Sequence, residues 1–214
     1  MSTELSRPRS PWIRVWHALD GLVITGLLGT VLLRKTFLAW RTNGPLIEAE
    51  VSKAGGTVST EGAVAVAKLL RDRMWEWHHI FGVALIALVV FRLVIIALDR
   101  EQNPLLAGYR AFVQSRALPP EARSAALHGV FVKVTHAAFY ALLLVMAVTG
   151  GLLLNEETIG LGEGLEDALK EVHELVMWGI AGFVPLHIAG VVLAELRGQR
   201  GLASEMIHGR AGER

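Results

Sequence analysis

Four long apolar stretches constrain this chain more than any other feature of its sequence. Three of them, 80–98, 134–154 and 175–194, contain at most two titratable side chains each. In the fourth, 13–33, the ionisable residues are confined to the first two turns. Each stretch is long enough, at about 1.5 Å per helical residue, to cross about 30 Å of hydrocarbon. The pattern predicts an all-α fold, an integral membrane four-helix bundle.

The apolar stretch nearest the N-terminus, 13–33, has a second interpretation. A basic start followed by an apolar centre, here 21–33, is also typical of a secretory signal peptide. Arg34 and Lys35, however, stand where the small residues of a cleavage site would be expected. We therefore predict an uncleaved first membrane helix.

The whole chain, 1–214, is predicted to form a single membrane domain. Its membrane helices are expected at 12–34, 75–98, 128–154 and 171–197. The connecting segments and the tail are expected at 35–73, 99–127, 155–170 and 198–214.

Loop charges predict the orientation. The segments on the side of the two termini carry 12 basic and 7 acidic residues, whereas the other two loops carry 8 basic and 12 acidic residues. Because loops rich in Lys and Arg remain in the cytoplasm, both termini are predicted to be cytoplasmic. Four basic residues that flank helix ends on the opposite side weaken this bias: Arg34, Lys35, Arg71 and Arg73.

The longest extramembrane piece is 34–76. Gly44-Pro45 and Gly55-Gly56 predict turns, and 59–61 is expected to open a short helix. The segment could cover the membrane helices, or it could form a docking surface for an extramembrane partner.

Composition excludes several classes of function. The chain has 21 basic and 20 acidic residues, so the excess of positive charge that nucleic-acid binding requires is missing. It contains no cysteine, which excludes disulfides, thiolate zinc sites, iron–sulfur ligation and covalently attached haem. Any redox or metal chemistry must therefore depend on the eight histidines.

Two histidines of the last membrane helix indicate two metal centres, stacked one above the other across the membrane. His173 and His187 are 14 residues apart, so they share a helix face and lie ~21 Å apart along the axis. His17 is expected at the depth of His187, near the inner side. His78 is expected at the depth of His173, near the outer side.

Two imidazole ligands for each centre, without cysteine, indicate b-type haem that transfers electrons. A single histidine in a membrane helix is often only a hydrogen-bonded contact between helices. Four of them at matched depths on three helices favour ligation of two non-covalent haem b groups. His79 competes with His78 as the outer ligand, because the two are adjacent but point ~100° apart.

Other ionisable residues fall near the inner pair. Arg92 lies 14 residues after His78 and is expected at the inner level, where an intramembrane cation requires an anion such as a haem propionate or Asp20. Rather than pairing with Arg92, Asp20 could orient His17 or exchange protons with a quinone. His136 could replace His17 as a ligand, or act on protons or quinone.

These residues resemble a known family, the four-helix di-haem b-type cytochromes. The family includes bacterial cytochrome b561 and the cytochrome b subunits of respiratory formate dehydrogenases and hydrogenases. The resemblance covers essentially all of 12–210. It is carried by Trp16-His17, His78-His79-Ile80-Phe81-Gly82, His136 with Tyr140 and Thr149-Gly150, Val172-His173-Glu174, Leu186-His187-Ile188-Ala189-Gly190 and a Met-Ile-x-Gly-like tail at 206–209.

The resemblance implies that the first, second and fourth helices supply the axial ligands. By motif these are His17, His78, His173 and His187. The third-helix histidine is not a ligand in four-helix members, so His136 is expected beside the haem or at a quinone site. The 34–76 segment is longer than in compact stand-alone members, which favours a partner that docks outside.

Three functions follow as expectations. The first is electron transfer between the membrane quinone pool and a periplasmic redox protein or catalytic subunit, as a quinone-reactive oxidoreductase component. The second is a stand-alone quinol:superoxide oxidoreductase of the b561 type, although the acidic 155–174 loop would repel superoxide. The third is a haem-free bundle for a metal ion or proton, for which the membrane core offers only one carboxylate, Asp20.

Overall fold

The computed structural model describes residues 10–197 together with Ser204 and Met206; the rest of the predicted tail, including all of its Met-Ile-x-Gly-like motif except Met206, lies outside the described residues. Throughout the described part the regular structure is helical, without strands. The helices are α1 (Pro11–Lys35), α2 (Trp40–Lys53), α3 (Thr60–Leu98), α4 (Pro104–Arg116), α5 (Pro120–Leu154), α6 (Glu156–Ile159) and α7 (Glu163–Leu196), with a 3₁₀ turn at Arg100–Gln102.

Among the described residues, four helices are long and apolar enough to cross a membrane. These spans are Pro11–Lys35, Thr60–Leu98, Ala126–Leu154 and Glu163–Leu196. Large apolar side chains on them are widely exposed, and Leu175 and Leu186 each expose 73% of their surface. Such surfaces are stable in contact with lipid and not with water. The predicted class, an all-α membrane protein with four spanning helices, is confirmed.

The packing contacts divide the described chain into two compact units. Asp20–Leu85 forms one unit, and the described residues on either side of it form the other. Helices α1 and α3 each contribute residues to both units.

Helix α3 is longer than the sequence pattern indicates. The short helix predicted to open at 59–61 begins at Thr60 and continues without a break to Leu98. Ser59 caps it, since its hydroxyl accepts a hydrogen bond from the backbone N–H of Gly62 at 3.1 Å. The charged residues near position 72 mark a change in polarity, but they do not interrupt the backbone hydrogen bonds of a helix.

One predicted turn is wrong and another is confirmed. Gly44 and Pro45 lie inside α2. A Cβ atom on Gly44 would approach the Cγ2 of Val64 to 2.9 Å, so glycine allows α2 to lie close to the start of α3. The predicted turn at Gly55-Gly56 follows the end of α2, with Gly55 at φ +80°, a conformation that glycine adopts without strain.

The predicted 99–127 connection contains a helix, α4. Asn103 caps it by accepting hydrogen bonds from the backbone N–H groups of Leu105 and Leu106 at 2.9 and 3.3 Å. Pro104 occupies the first position, where its missing N–H costs nothing. The helix packs against α5 and exposes a set of apolar side chains, as interfacial helices do: Leu105, Tyr109, Phe112 and Val113.

Candidate functional site

Three predicted histidines from three helices meet in one cluster. The ring of His187 on α7 lies 6.2 Å from that of His17 on α1 and 5.4 Å from that of His136 on α5, measured between centroids. The structure thus brings together the two predicted inner ligands and the predicted quinone residue. Within the described part of the chain, no group of three or more His, Asp or Glu side chains has the arrangement to hold a metal ion.

The separation between His17 and His187 fits two imidazoles on opposite sides of one iron. Metal–imidazole bonds of ~2 Å on each side place the two ring centroids roughly 6 Å apart. The observed 6.2 Å agrees with this spacing. Two histidines supply only two ligands, so an iron held between them would need a macrocycle such as haem for its remaining ligands.

Aromatic side chains pack beside this cluster. The ring of Phe183 stacks on that of His187 with centroids 5.6 Å apart, and on that of Phe139 at 4.2 Å. These rings give the imidazole of His187 an apolar wall that restricts its rotation.

The tautomer of His136 follows from its hydrogen bond. Its Nδ1 lies 2.6 Å from the backbone carbonyl oxygen of Val132. A carbonyl oxygen can only accept a hydrogen bond, so Nδ1 donates it. In the neutral imidazole, Nε2 is then a proton acceptor, directed away from the helix backbone.

A buried cation, Arg92, packs against two aromatic rings, one of which belongs to the residue before His17. The guanidinium of Arg92 stands over the rings of Trp16 and Tyr140, at 5.5 and 5.1 Å from their centroids. Trp16, which precedes His17, is held by a hydrogen bond from its indole N–H to the carbonyl oxygen of Leu88 at 2.9 Å. Arg92 is therefore positioned within the same unit as the predicted inner ligands.

Asp20 is buried in the other compact unit. Its Oδ1 atom is inaccessible to solvent and has no hydrogen-bond partner among the described residues. A buried polar atom left in this state is costly, which is typical of residues that serve a ligand or a proton.

The predicted outer ligand His78 is held on two sides. Its Nδ1 lies 2.9 Å from the hydroxyl oxygen of Thr30, and its ring stacks on that of Trp75 at 4.1 Å. The guanidinium of Arg34 lies 4.0 Å from the same tryptophan ring. His79 is exposed and meets only the edge of Trp75, at 6.4 Å between centroids. The hydrogen bond and the ring stacking of His78 distinguish it from His79, and ligation by His78 stays a prediction.

The second predicted outer ligand, His173, is held in a similar way. Its Nδ1 lies 2.8 Å from the hydroxyl oxygen of Thr149 on α5. The next residue, Gly150, lets the imidazole lie against the backbone of α5, since a Cβ atom there would be 3.2 Å from Cε1 of His173.

This close approach predicts different effects for two neighbouring glycines. Alanine at Gly150 is expected to displace the His173 ring and so to lower the free energy of unfolding by roughly 1–3 kcal/mol. This loss outweighs the gain from the higher helix propensity of alanine. Alanine at Gly151 would meet only Ile86 at 3.5 Å, an ordinary contact. Thermal stability and the haem absorption spectrum of the purified variants provide the measurement. Equal behaviour of Gly150→Ala and Gly151→Ala would contradict this prediction.

A basic cavity lies in the Asp20–Leu85 unit. It has a volume of about 380 Å³, and four cations line it: Arg34, Lys35, Arg41 and Arg71. Trp40 forms part of its wall, with the charged groups of Arg41 and Lys68 each 4.9 Å from the ring centroid. Asp72 forms an ion pair with Arg71 at 2.7 Å. The excess of positive charge makes the cavity suitable for an anionic group.

A comparison with protein families agrees with this geometry. The family model described as prokaryotic cytochrome b561 matches residues 9–209. The chain belongs to the prokaryotic cytochrome b561 family. As a b561 member it is a membrane electron-transfer protein that binds b-type haem. Comparisons with curated proteins and with solved structures gave no match.

Sequence reasoning assigned no role to several residues that contact the histidines of this b561 protein, although it included Thr149 in a family motif. Thr30, Thr149 and Phe183 carry no charge and lie in apolar stretches, where each is equally compatible with ordinary packing. The available signal was weak: a hydroxyl in a membrane helix usually requires a hydrogen-bond acceptor nearby.

Proposed function

We propose that this b561 protein is a di-haem cytochrome of the bacterial inner membrane that transfers electrons between the quinone pool and a periplasmic redox partner. In this role it would be the cytochrome b subunit of a respiratory complex. The observation that carries the proposal is the 6.2 Å separation between the rings of His17 and His187, which is suited to one inner haem. The second haem follows from His173, 14 residues earlier on the same helix.

His17 and His187 would be the axial ligands of the inner haem, and His78 and His173 those of the outer one. The pairing of His78 with His173 rests on their predicted depths in the membrane. A haem held by these histidines would supply one-electron redox chemistry. The protein contributes the orientation of the imidazoles, through Phe183 at His187 and through hydroxyl groups at the two outer ligands.

Reduction of a quinone consumes two electrons and two protons, so the inner site must also transfer protons. Two side chains support this role. Nε2 of His136 is a proton acceptor when the ring is neutral. Asp20 is buried with an unsatisfied oxygen atom. Arg92, also buried, would stabilise the negative charge of a haem propionate or of a quinone oxygen.

The extramembrane segment supports a docked partner on the outer side. Helix α2 and the first turns of α3 are folded helical structure, and they expose Leu46, Leu69 and Leu70. A periplasmic redox protein or catalytic subunit that covered these side chains would deliver electrons to, or take them from, the outer haem.

Two measurements on detergent-purified protein test the function. The haem-to-protein ratio, combined with a reduced-minus-oxidised spectrum, is expected to give two low-spin b-type haems per chain. Addition of quinol is expected to reduce them. One haem per chain would contradict the two-centre scheme, and the absence of quinol-dependent reduction would contradict the quinone reaction.

A second candidate function is supported by the basic cavity. A stand-alone quinol:superoxide oxidoreductase requires access for a small anion, and the cavity lined by Arg34, Lys35, Arg41 and Arg71 would attract one. Two superoxide anions would each lose one electron to give dioxygen, and these electrons with two protons would convert quinone to quinol. Addition of superoxide to the oxidised protein distinguishes the candidates, because only the second predicts rapid haem reduction by superoxide itself.

A further inference from the structure

The two predicted outer ligands share one hydrogen-bonding arrangement, although they lie on different helices. In each case a buried threonine on a neighbouring helix contacts Nδ1 of the histidine. Thr30 on α1 contacts His78 on α3 at 2.9 Å, and Thr149 on α5 contacts His173 on α7 at 2.8 Å. Both threonines are almost fully buried, with 6% and 5% of their surface exposed.

The direction of these hydrogen bonds follows from the second contact of each threonine. The hydroxyl oxygen of Thr30 lies 2.7 Å from the backbone carbonyl oxygen of Leu27, and that of Thr149 lies 2.8 Å from the carbonyl oxygen of Val145. A hydroxyl has one hydrogen, and a carbonyl oxygen can only accept it. The threonine oxygen must therefore accept a hydrogen bond from Nδ1–H of the histidine.

This direction determines the tautomer of both imidazoles. A neutral histidine that carries its hydrogen on Nδ1 has its lone pair on Nε2, the nitrogen on the far side of the ring. This lone pair is the one through which such an imidazole coordinates iron. If the hydrogen were on Nε2 instead, Nδ1 and the threonine oxygen would face each other as two acceptors.

We infer that Thr30 and Thr149 are positioning residues for the outer haem: each fixes its histidine in the Nδ1–H tautomer and lowers the reduction potential of the iron bound at Nε2. The inference rests on the proposed function, in which His78 and His173 are axial ligands. A ligand imidazole that donates its N–H to an oxygen becomes more electron-rich. It therefore stabilises ferric more than ferrous iron, which lowers the potential.

The test uses valine, which has the shape of threonine without its hydroxyl group. Thr30→Val and Thr149→Val are expected to raise the midpoint potential of one haem and to shift its low-spin electron paramagnetic resonance signal, while the other haem keeps both properties. Thr30→Ser and Thr149→Ser retain the hydroxyl and are expected to restore wild-type values. These readouts are independent of turnover.

Thr25→Val is the matched control. Thr25 also lies on α1, and its hydroxyl donates to the carbonyl oxygen of Gly21 at 2.7 Å, but it is exposed. Its loss removes the same hydrogen bond within the helix, so the potentials and spectra are expected to remain unchanged. A shift in Thr25→Val equal to that in Thr30→Val would overturn the inference.

Failure of the inference and failure of the proposed function give different results. If His78→Ala and His173→Ala retain both haems, the proposed ligands are wrong. If each of these variants loses a haem while the valine variants keep wild-type potentials and spectra, the threonine inference is wrong. If a valine variant loses its haem altogether, the corresponding serine variant provides the test. Full haem content and the wild-type potential in the serine variant support the inference. Loss of the haem in the serine variant as well overturns it.

Discussion

His187→Ala is expected to remove one of two haems and to leave the other bound. The alanine side chain cannot coordinate iron, and the other proposed inner ligand, His17, would hold a macrocycle from one side only. The second haem is expected to remain, because its proposed ligands are other histidines. Haem content per chain, measured by extraction and by the difference spectrum, should therefore fall to about half.

Three further histidine variants test which residues hold the haem that His187→Ala is expected to lose. His17→Ala should lose the same haem as His187→Ala. His136→Ala should retain both haems, although its ring lies only 5.4 Å from that of His187. His79→Ala should also retain both. Loss of a haem in His136→Ala would make this residue the ligand in place of His17, and loss of both haems in His187→Ala would contradict separate centres.

Asp20→Asn is expected to slow haem reduction by quinol roughly 10²-fold, the scale at which a positioned acid or base contributes to proton transfer. Asparagine has nearly the same shape, but its amide cannot take up and release a proton. The haem content and the spectra should remain those of the wild type, because Asp20 is not a proposed ligand. Stopped-flow measurement of quinol-dependent reduction provides the rate.

Two variants control the Asp20 experiment. Asp20→Glu retains a carboxyl group and should recover a large part of the rate. Glu157→Gln neutralises an exposed carboxylate at the start of α6 and should leave the rate unchanged. Unchanged quinol kinetics in Asp20→Asn would exclude a proton-transfer role, and loss of haem in that variant would make Asp20 a structural residue.

The proximity of His17 and His187 could be anticipated from the sequence for a physical reason. Helical rise converts residue number into depth, so the position of a histidine within its apolar stretch predicts its level in the membrane. Rotation of a helix about its own axis is determined by packing, which hydropathy does not encode. The contacts of Thr30 with His78 and of Thr149 with His173 depend on that rotation, and only the structure reveals them.

Local turn motifs predicted the secondary structure less reliably than the length of the apolar stretches did. Gly44-Pro45 is a strong turn signal, yet both residues lie within α2, where the contact with Val64 outweighs their local preference. The α4 helix escaped prediction because its 13 residues are too few for a membrane span and lie between two stretches that are long enough.

The continuity of α3 has a mechanical consequence. At about 1.5 Å per residue its 39 residues extend about 58 Å, roughly twice the thickness of the hydrocarbon layer. No loop separates its first turn at Thr60 from His78. If His78 binds the proposed outer haem, a partner that bound the outer end of α3 and tilted or rotated the helix would strain the bond between this histidine and the haem iron. Under the proposed function, the continuous helix would thus transmit mechanical force from a bound partner to the electronic state of the outer haem.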